Sequence, residues 1–251
     1  MKRIMVCLGM ATGMGWQVVS GQVIKQHELS VGIAGRMLTD RYILSSPASG
    51  ELMALQYSFD SYSAAWKKSF SVAWGNGLLT NAASAARINS VTLRYSQAWP
   101  VVKSRKFNGY LGYSLSSNPV LIRAGSGQSA QYSWATTSNI SLYHSGVYTA
   151  RKGQWMLDVY VPLAGLCSRP GEKAGGSHTT EGALYDSYSR LFATSWHNQQ
   201  QVSVSLGYTR SVSDRMKLVL QGRFDYQVLK SDYRYQSKEA GLSAGIAWQM
   251  R

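Results

Sequence analysis

The sequence predicts an all-β protein, a transmembrane antiparallel up-and-down β-barrel of about ten strands, with eight to twelve as the range. Three observations predict it. Hydrophobic residues recur at every second position in many short segments, the connections between segments alternate between long and short, and tryptophans stand at segment ends. The composition agrees, since 45% of the 251 residues are hydrophobic, only 15% are charged and 24 are glycine. Such a composition argues against a disordered chain or a coiled coil.

The first 21 residues have the layout of a cleavable signal peptide. Two basic residues at positions 2 and 3 precede an apolar stretch over 4–16, and small residues at 19–21 suit cleavage before residue 22. A buried first helix is the alternative, but the stretch is shorter than the roughly 20 residues of a membrane-spanning helix. We therefore expect residues 1–21 to be removed and residues 22–251 to form a single outer-membrane barrel domain.

The first observation, period-two alternation, places apolar or aromatic side chains on one face of each segment and Ser, Gly, Thr or Gln on the other. The segments are 29–34, 51–59, 70–75, 91–99, 107–116, 131–142, 155–161, 202–209, 216–227 and 242–250. Each segment predicts one β-strand, and a further pair within 37–45 and 183–197 would make twelve. A soluble β-sandwich also buries one face of each strand, so alternation alone does not distinguish it from a barrel.

The second observation concerns the connections, which alternate in predicted length. The long ones are 37–50, 77–87, 119–130, 163–198 and 231–238, and the short ones are 60–66, 100–106, 151–153 and 211–214. Outer-membrane barrels have long loops outside and short turns on the periplasmic side. Ten strands with both termini on the short-turn side satisfy that topology, whereas a Greek-key sandwich has no reason to alternate.

The third observation is the position of four tryptophans beside the short turns or the C-terminus. They are Trp66, Trp99, Trp155 and Trp248. Tryptophan favours the membrane interface because its ring is apolar while its N–H stays hydrated. We expect these side chains to form an interfacial girdle; packing inside a sandwich core is the alternative.

The positive charge of the chain, +14 from 26 basic and 12 acidic residues, concentrates on the short-turn side. The predicted basic periplasmic rim contains Lys67, Lys68, Lys103, Arg105, Lys106, Arg151, Lys152 and Arg215. Basic residues at such a rim meet lipid phosphates, and they also suit docking of an acidic periplasmic or outer-membrane protein partner. Nucleic acid is not an expected partner, because the chain is exported and lacks an RNA-binding motif.

Four charged residues fall on lumen-facing positions of the predicted strands. They are Arg36, Arg94, Arg223 and Asp225. They would either form ion pairs that fill the bore or line a narrow pore. A barrel of about eight strands is filled by side chains, whereas about sixteen strands leave an aqueous channel. Ten strands lie near the filled end of that range, which argues against wide-pore transport.

Catalytic and metal-binding patterns are weak in this sequence. Ser195 and His197 lie two positions apart, so on a strand both would face the same side, within reach of proton transfer. The Gly-x-Ser-x-Gly elbow of many hydrolases is absent, and serine is abundant throughout.

Neither paired histidines nor clustered acids suggest a metal. With Cys7 in the signal peptide, Cys167 is the only mature cysteine, so no internal disulfide forms. We expect no cofactor.

One short motif carries a resemblance. The stretch 38–47, Leu-Thr-Asp-Arg-Tyr-Ile-Leu-Ser-Ser-Pro, follows the first strand. With the whole-chain architecture, it resembles outer-membrane β-barrel proteins of the Bacteroidota, in particular the group DUF3316. Ile43 and the additional Ser46 depart from that group's pattern. The chain also ends in Gln-Met-Arg after Trp248, whereas barrels often end in an aromatic residue. The resemblance implies a place in the Gram-negative cell envelope and no particular activity.

Together these observations predict a non-catalytic outer-membrane barrel with a structural or accessory role in the cell envelope. The basic rim would serve as its docking face. Two alternatives from other classes stay open: a narrow channel for small solutes, and a lipid-modifying hydrolase around Ser195 and His197.

Overall fold

The computed structural model describes residues 23–44, 46–125, 131–170, 191–195, 198–230 and 235–250. The predicted signal peptide lies outside them. Eleven β-strands cover these residues: β1 Ile24–Asp40, β2 Ala48–Tyr62, β3 Lys67–Thr80, β4 Ala85–Lys103, β5 Phe107–Ala124, β6 Gln131–Ala150, β7 Gly153–Ser168, β8 Leu191–Ser195, β9 Gln199–Ser211, β10 Met216–Leu229 and β11 Tyr235–Met250. In this part of the chain, no helix is long and apolar enough to span a membrane.

The strands form one closed antiparallel barrel. From β1 to β7 each strand pairs with the next, and β1 pairs along its length with β11. The short strand β8 pairs with the end of β7, while β9 pairs with the beginning of β7 and with β10. Since β8 and β9 share one position in the wall, the barrel has ten strand positions. The predicted fold class and strand number are confirmed.

The two faces of the wall differ in chemistry. Most outward-facing side chains are apolar and exposed, as with Ile33 (64% exposed), Met53 (66%) and Leu242 (72%). Inward-facing positions carry small polar residues such as Ser96 and Ser114, both buried. A sandwich would bury its apolar face, so the sandwich alternative is wrong. An apolar outer face over a polar interior is the pattern of a lipid-facing barrel.

The connections differ from the prediction on one side of the barrel. The short turns are 63–66, 104–106, 151–152 and 212–215, as expected. On the opposite side, however, the predicted long connection 77–87 is wrong, because β3 and β4 pair as far as Thr80 and Ala85 and leave only 81–84 as a turn. Most strands exceed the roughly 9–11 residues needed to cross the hydrocarbon, so residues assigned to loops continue the wall instead.

The barrel interior is filled differently at its two ends. At the end opposite the short turns, inward-facing side chains form a buried cluster, here called the apolar plug. Its members are Leu38, Leu44, Ala48, Leu52, Leu79, Ala86, Ile88, Val120, Ile122, Ala124, Ala135, Cys167, Leu229 and Tyr235. These side chains are 0–9% exposed, so they fill that end of the lumen. The opposite half of the lumen, toward the short turns, contains the ion pair of Lys67 with Asp158.

Candidate functional site: the lumen and the short-turn rim

Eight charged residues of the lumen are paired with one another. Four ion pairs occur among the described residues, and all four lie inside the barrel. They are Arg36–Glu239, Lys67–Asp158, Arg169–Asp40 and Arg223–Asp225. Inward charges of both signs therefore neutralise one another locally, as charges withdrawn from water require.

Three of the four predicted lumen residues lie on two strands, β1 and β10, on either side of β11. The Nε of Arg36, on β1, donates to Ser237 Oγ at 2.9 Å and lies 3.5 Å from Glu239 Oε2. Two strands away, Arg223 and Asp225 lie two positions apart on the inward face of β10, and the guanidinium donates to the carboxylate. The pairs border a common interior pocket of about 60 Å³.

The fourth, Arg94 on β4, reaches across the lumen. Its guanidinium carbon lies 4.0 Å from the centre of the Tyr160 ring on β7, a cation–π contact, and Nη2 lies 3.4 Å from Ser203 Oγ on β9. The Tyr160 ring in turn stacks on Tyr143 at 4.8 Å. Arg94 thus joins opposite walls through contacts that occupy the bore.

Lys67 does not belong to the rim. The first residue of β3, it has the same inward orientation as Ser69 and is 2% exposed. Its Nζ donates to Ser145 Oγ at 2.9 Å and to Asp158 Oδ1 at 3.3 Å, and it lies 5.5 Å from the Tyr143 ring centre. The prediction considered only the nearness of Lys67 to a turn; strand parity would have placed it inside.

Two acids near the short turns also point inward. Glu28 on β1 and Asp60 on β2 are each 6% exposed and line the same pocket as Lys67 and Asp158. We call these four residues the charged layer. Glu28 and Asp60 belong to the lumen, so they do not offset the basic residues of the rim. Their inward parity is visible in the sequence, but their proximity to Asp158, a distant residue on β7, is not.

A second buried ion pair lies at the plug end. Arg169, just after β7, binds Asp40 through two contacts, Nη2–Oδ1 at 2.7 Å and Nη1–Oδ2 at 3.1 Å. Ser133 Oγ donates to the same carboxylate at 2.8 Å, and the guanidinium lies 4.8 Å from the Tyr235 ring centre. Bidentate pairs of this kind fix geometry as well as charge. The sequence prediction had assigned both ionic partners to loops.

The interior of the described structure contains small pockets. Three that lie between inward-facing side chains have volumes of about 60, 60 and 50 Å³. Each therefore has room for water, for which about 10–15 Å³ of such volume is enough.

The remaining rim residues stand where the sequence placed them, on or beside the short turns. They are Lys68, Lys103, Arg105, Lys106, Arg151, Lys152 and Arg215. Apart from Lys68, which lies 4.8 Å from the Trp66 ring centre, they are exposed. In the part of the chain that is described, none forms an ion pair with a carboxylate. The short-turn rim is accordingly a mainly positive surface, with the exposed Asp214 in the 212–215 turn beside Arg215.

The four predicted tryptophans lie near that rim. Trp99 and Trp155 are 47% and 44% exposed, which excludes a core role, and each contacts an outward tyrosine of a neighbouring strand. Trp248 stacks on His27 at 5.6 Å. Trp66 precedes β3 and is half-buried beneath Lys68. Exposed rings at one level suit an interface between apolar and aqueous surroundings.

The predicted hydrolase pair is described only in part. Ser195 ends β8 with an exposed side chain, and its backbone N–H donates to Asn198 Oδ1 at 2.7 Å. His197 lies outside the described residues. Within the described ranges, no group of three or more His, Cys, Asp or Glu side chains could hold a metal ion.

Comparison with known proteins identifies the fold and no family. No family model matches the sequence, and no curated protein matches it. Among solved structures, the outer-membrane protease OmpT of Escherichia coli is similar at 10% identity, with a TM-score of 0.53 over 93% of this chain and 99% of that chain. The translocator domain of the autotransporter NalP from Neisseria meningitidis is similar at 10% identity, with a TM-score of 0.49 over 98% and 97%. The chain has the fold of an outer-membrane β-barrel.

Proposed function

We propose that this protein is a non-catalytic, closed outer-membrane barrel with a structural or accessory role in the cell envelope. Export by the signal peptide at 1–21 would deliver it to the periplasm. The outward apolar face supports insertion, because only a closed barrel satisfies every β backbone group in lipid. It would lie with the short-turn rim in the periplasm and the plug end at the cell surface.

The observation that carries the proposal is the filling of the lumen. A conducting barrel has a polar, water-filled interior. Here the plug end is closed by the apolar plug and by the buried pair of Asp40 with Arg169, whose side chains are 0% and 1% exposed. Ions would have to cross a layer of buried apolar side chains, which is costly for any charge.

The short-turn rim supports the accessory role. Its basic side chains have no ion-paired carboxylate among the described residues, so they are available to an acidic partner. Each basic residue beside an anionic membrane contributes about 1 kcal/mol, so the rim would also orient the barrel against lipid phosphates. A partner would be an acidic periplasmic or outer-membrane protein.

Two measurements test this proposal. Outer-membrane fractions of the native host should contain the protein, with a gel mobility that shifts on boiling. In planar bilayers, the purified barrel should give no steady single-channel conductance. A soluble, heat-insensitive periplasmic protein would refute the barrel in the membrane, and regular conductance steps would refute the closed lumen.

A narrow channel is the second candidate, favoured by one observation. The charged layer gives the periplasmic half of the lumen acidic side chains facing a pocket of about 60 Å³, which is how a cation pathway begins. For this candidate the apolar plug must open. Cation-selective conductance that appears under voltage and disappears in a Glu28→Gln variant would support it.

A further inference from the structure

Two arginines stand directly opposite each other on the outer wall. Arg87 on β4 and Arg123 on β5 are register partners, and both point outward. Like charges in that position repel each other. No ion pair with either arginine occurs in the described residues. The buried Nε of Arg123 has no hydrogen-bond partner, and its guanidinium carbon lies 5.9 Å from the Tyr132 ring centre. Within the described residues the pair therefore has no ion-paired carboxylate.

The arginine pair lies at the level of a membrane interface. Trp99 and Arg87 share the outward face of β4, twelve positions apart. At a rise of about 3.4 Å per residue and a tilt of about 40°, this corresponds to about 31 Å along the membrane normal. The hydrocarbon core is about 30 Å thick. With Trp99 at the periplasmic interface, Arg87 reaches the phosphate level of the outer leaflet.

A polar pair lies just below the arginines on the same wall. Asn76 on β3 and Asn89 on β4 are outward-facing register partners, and the Asn76 amide donates to Asn89 Oδ1. Asn89 stands two positions from Arg87 toward the membrane centre. Amide side chains on a lipid-facing surface are costly unless they have polar partners, so their position suits the ester or amide linkages beneath a lipid headgroup.

Below the asparagines the wall contains an apolar groove. Its volume is about 590 Å³, and its sides include Phe70, Leu93, Leu115, Ile140 and Leu166. The groove is deep where small side chains replace large ones. There Ser117 and Ser138 are register partners that satisfy each other through a 3.1 Å hydrogen bond between their hydroxyls.

We propose that this wall, from β3 to β7, binds one phosphorylated, acylated lipid of the outer leaflet. The arginine pair holds the phosphate, the asparagine pair faces the polar linkage, and the groove receives an acyl chain. The order of the three levels down the wall is the order of groups in such a lipid. The inference rests on the membrane location proposed above.

The test compares lipids that differ only in the phosphate. The full mature chain in detergent micelles is titrated with dioleoyl phosphatidic acid, with dioleoylglycerol or with inorganic phosphate, and bound molecules are counted by native mass spectrometry. We expect one phosphatidic acid per barrel and weaker binding of the other two, since each has only half of the ligand. Equal binding of dioleoylglycerol and phosphatidic acid would overturn the phosphate site. Retention of inorganic phosphate as tightly as of phosphatidic acid would overturn the lipid assignment.

Variants separate the two halves of the site. An R87Q/R123Q variant should bind phosphatidic acid about tenfold more weakly, because charge-assisted contacts are lost. The matched control is K238Q, an exposed lysine on β11 beside Tyr226, which should bind like the wild type. S117F should fill the groove and weaken the binding of phosphatidic acid, although both arginines are still present.

The shift of gel mobility on boiling checks that each variant folds. Unchanged affinity in folded R87Q/R123Q would overturn the proposal. A protein found in the outer membrane that binds no phosphatidic acid would remove the lipid site and leave the proposed function standing, whereas absence from the outer membrane would remove both.

Discussion

The two ends of the lumen are filled by side chains of different chemistry. The end near the short turns contains the charged layer, whose Lys67–Asp158 pair has one charged contact at 3.3 Å. The opposite end combines the apolar plug with the pair Asp40–Arg169, which has two contacts at 2.7 and 3.1 Å. The Asp40 and Arg169 side chains are 0% and 1% exposed, whereas those of Lys67 and Asp158 are 2% and 9% exposed. The plug end is therefore the more completely buried of the two ends.

The largest effect should come from breaking the ion pair at the plug end. Asp40→Ala leaves the Arg169 guanidinium buried without its carboxylate, so we expect the free energy of unfolding to fall by about 3–5 kcal/mol. Urea titration in lipid vesicles, followed by tryptophan fluorescence, measures it. The double variant D40A/R169M removes both charges and should recover part of the loss; a double variant less stable than D40A would contradict the pairing.

The next effect tests the apolar plug itself. Leu52→Ala removes a side chain that is 2% exposed and leaves a cavity, so we expect a loss of about 2–5 kcal/mol. Its neighbour Met53 faces outward and is 66% exposed, so Met53→Ala is a matched control with a smaller loss. Equal losses in the two variants would show that the plug adds nothing beyond the lipid-facing wall.

A neighbouring pair of lysines tests the placement of charge at the other end. Lys67→Ala removes the partner of Asp158, and we expect a loss of about 2 kcal/mol, within the range for hydrogen bonds to charged groups. Lys68→Ala, one position along on the outside, should change stability by less than about 0.5 kcal/mol. The same urea titration decides. Equal losses of stability in the two variants would contradict the placement of Lys67 inside the lumen.

The smallest effect on stability should come from the short-turn rim. R105Q/K106Q should leave the unfolding free energy within about 0.5 kcal/mol. Its binding to vesicles with anionic lipid should weaken by about 2 kcal/mol, and the difference should shrink as salt rises. Sedimentation with vesicles of phosphatidylglycerol and phosphatidylcholine measures this. A large loss of stability would mean that these charges serve the fold and not a surface.

Much of this architecture could be predicted from the sequence because alternation is a local property. The alternation of apolar and polar residues is visible within a few positions of each strand. It therefore predicts the barrel, its strand number and the outward tryptophans. The contents of the lumen do not follow, because they depend on pairs such as Asp40 and Arg169, which are far apart in the chain. Lys67 was predicted at the rim because it lies beside a turn. Its odd position in β3, however, decides that its side chain faces the lumen.

The shared position of β8 and β9 has a consequence for dynamics. β7 pairs with β9 as far as Tyr160 and with β8 only from Ala164 onward. Between these points, residues 161–163 interrupt the continuous ladder that every other neighbouring pair maintains over most of its length. Local opening begins where cooperative hydrogen bonding is thinnest. Amide protons along this seam should therefore exchange with solvent before those of β1 and β11. The β1–β11 pair that closes the barrel would then be more stable than the contact of β7 with β8 and β9.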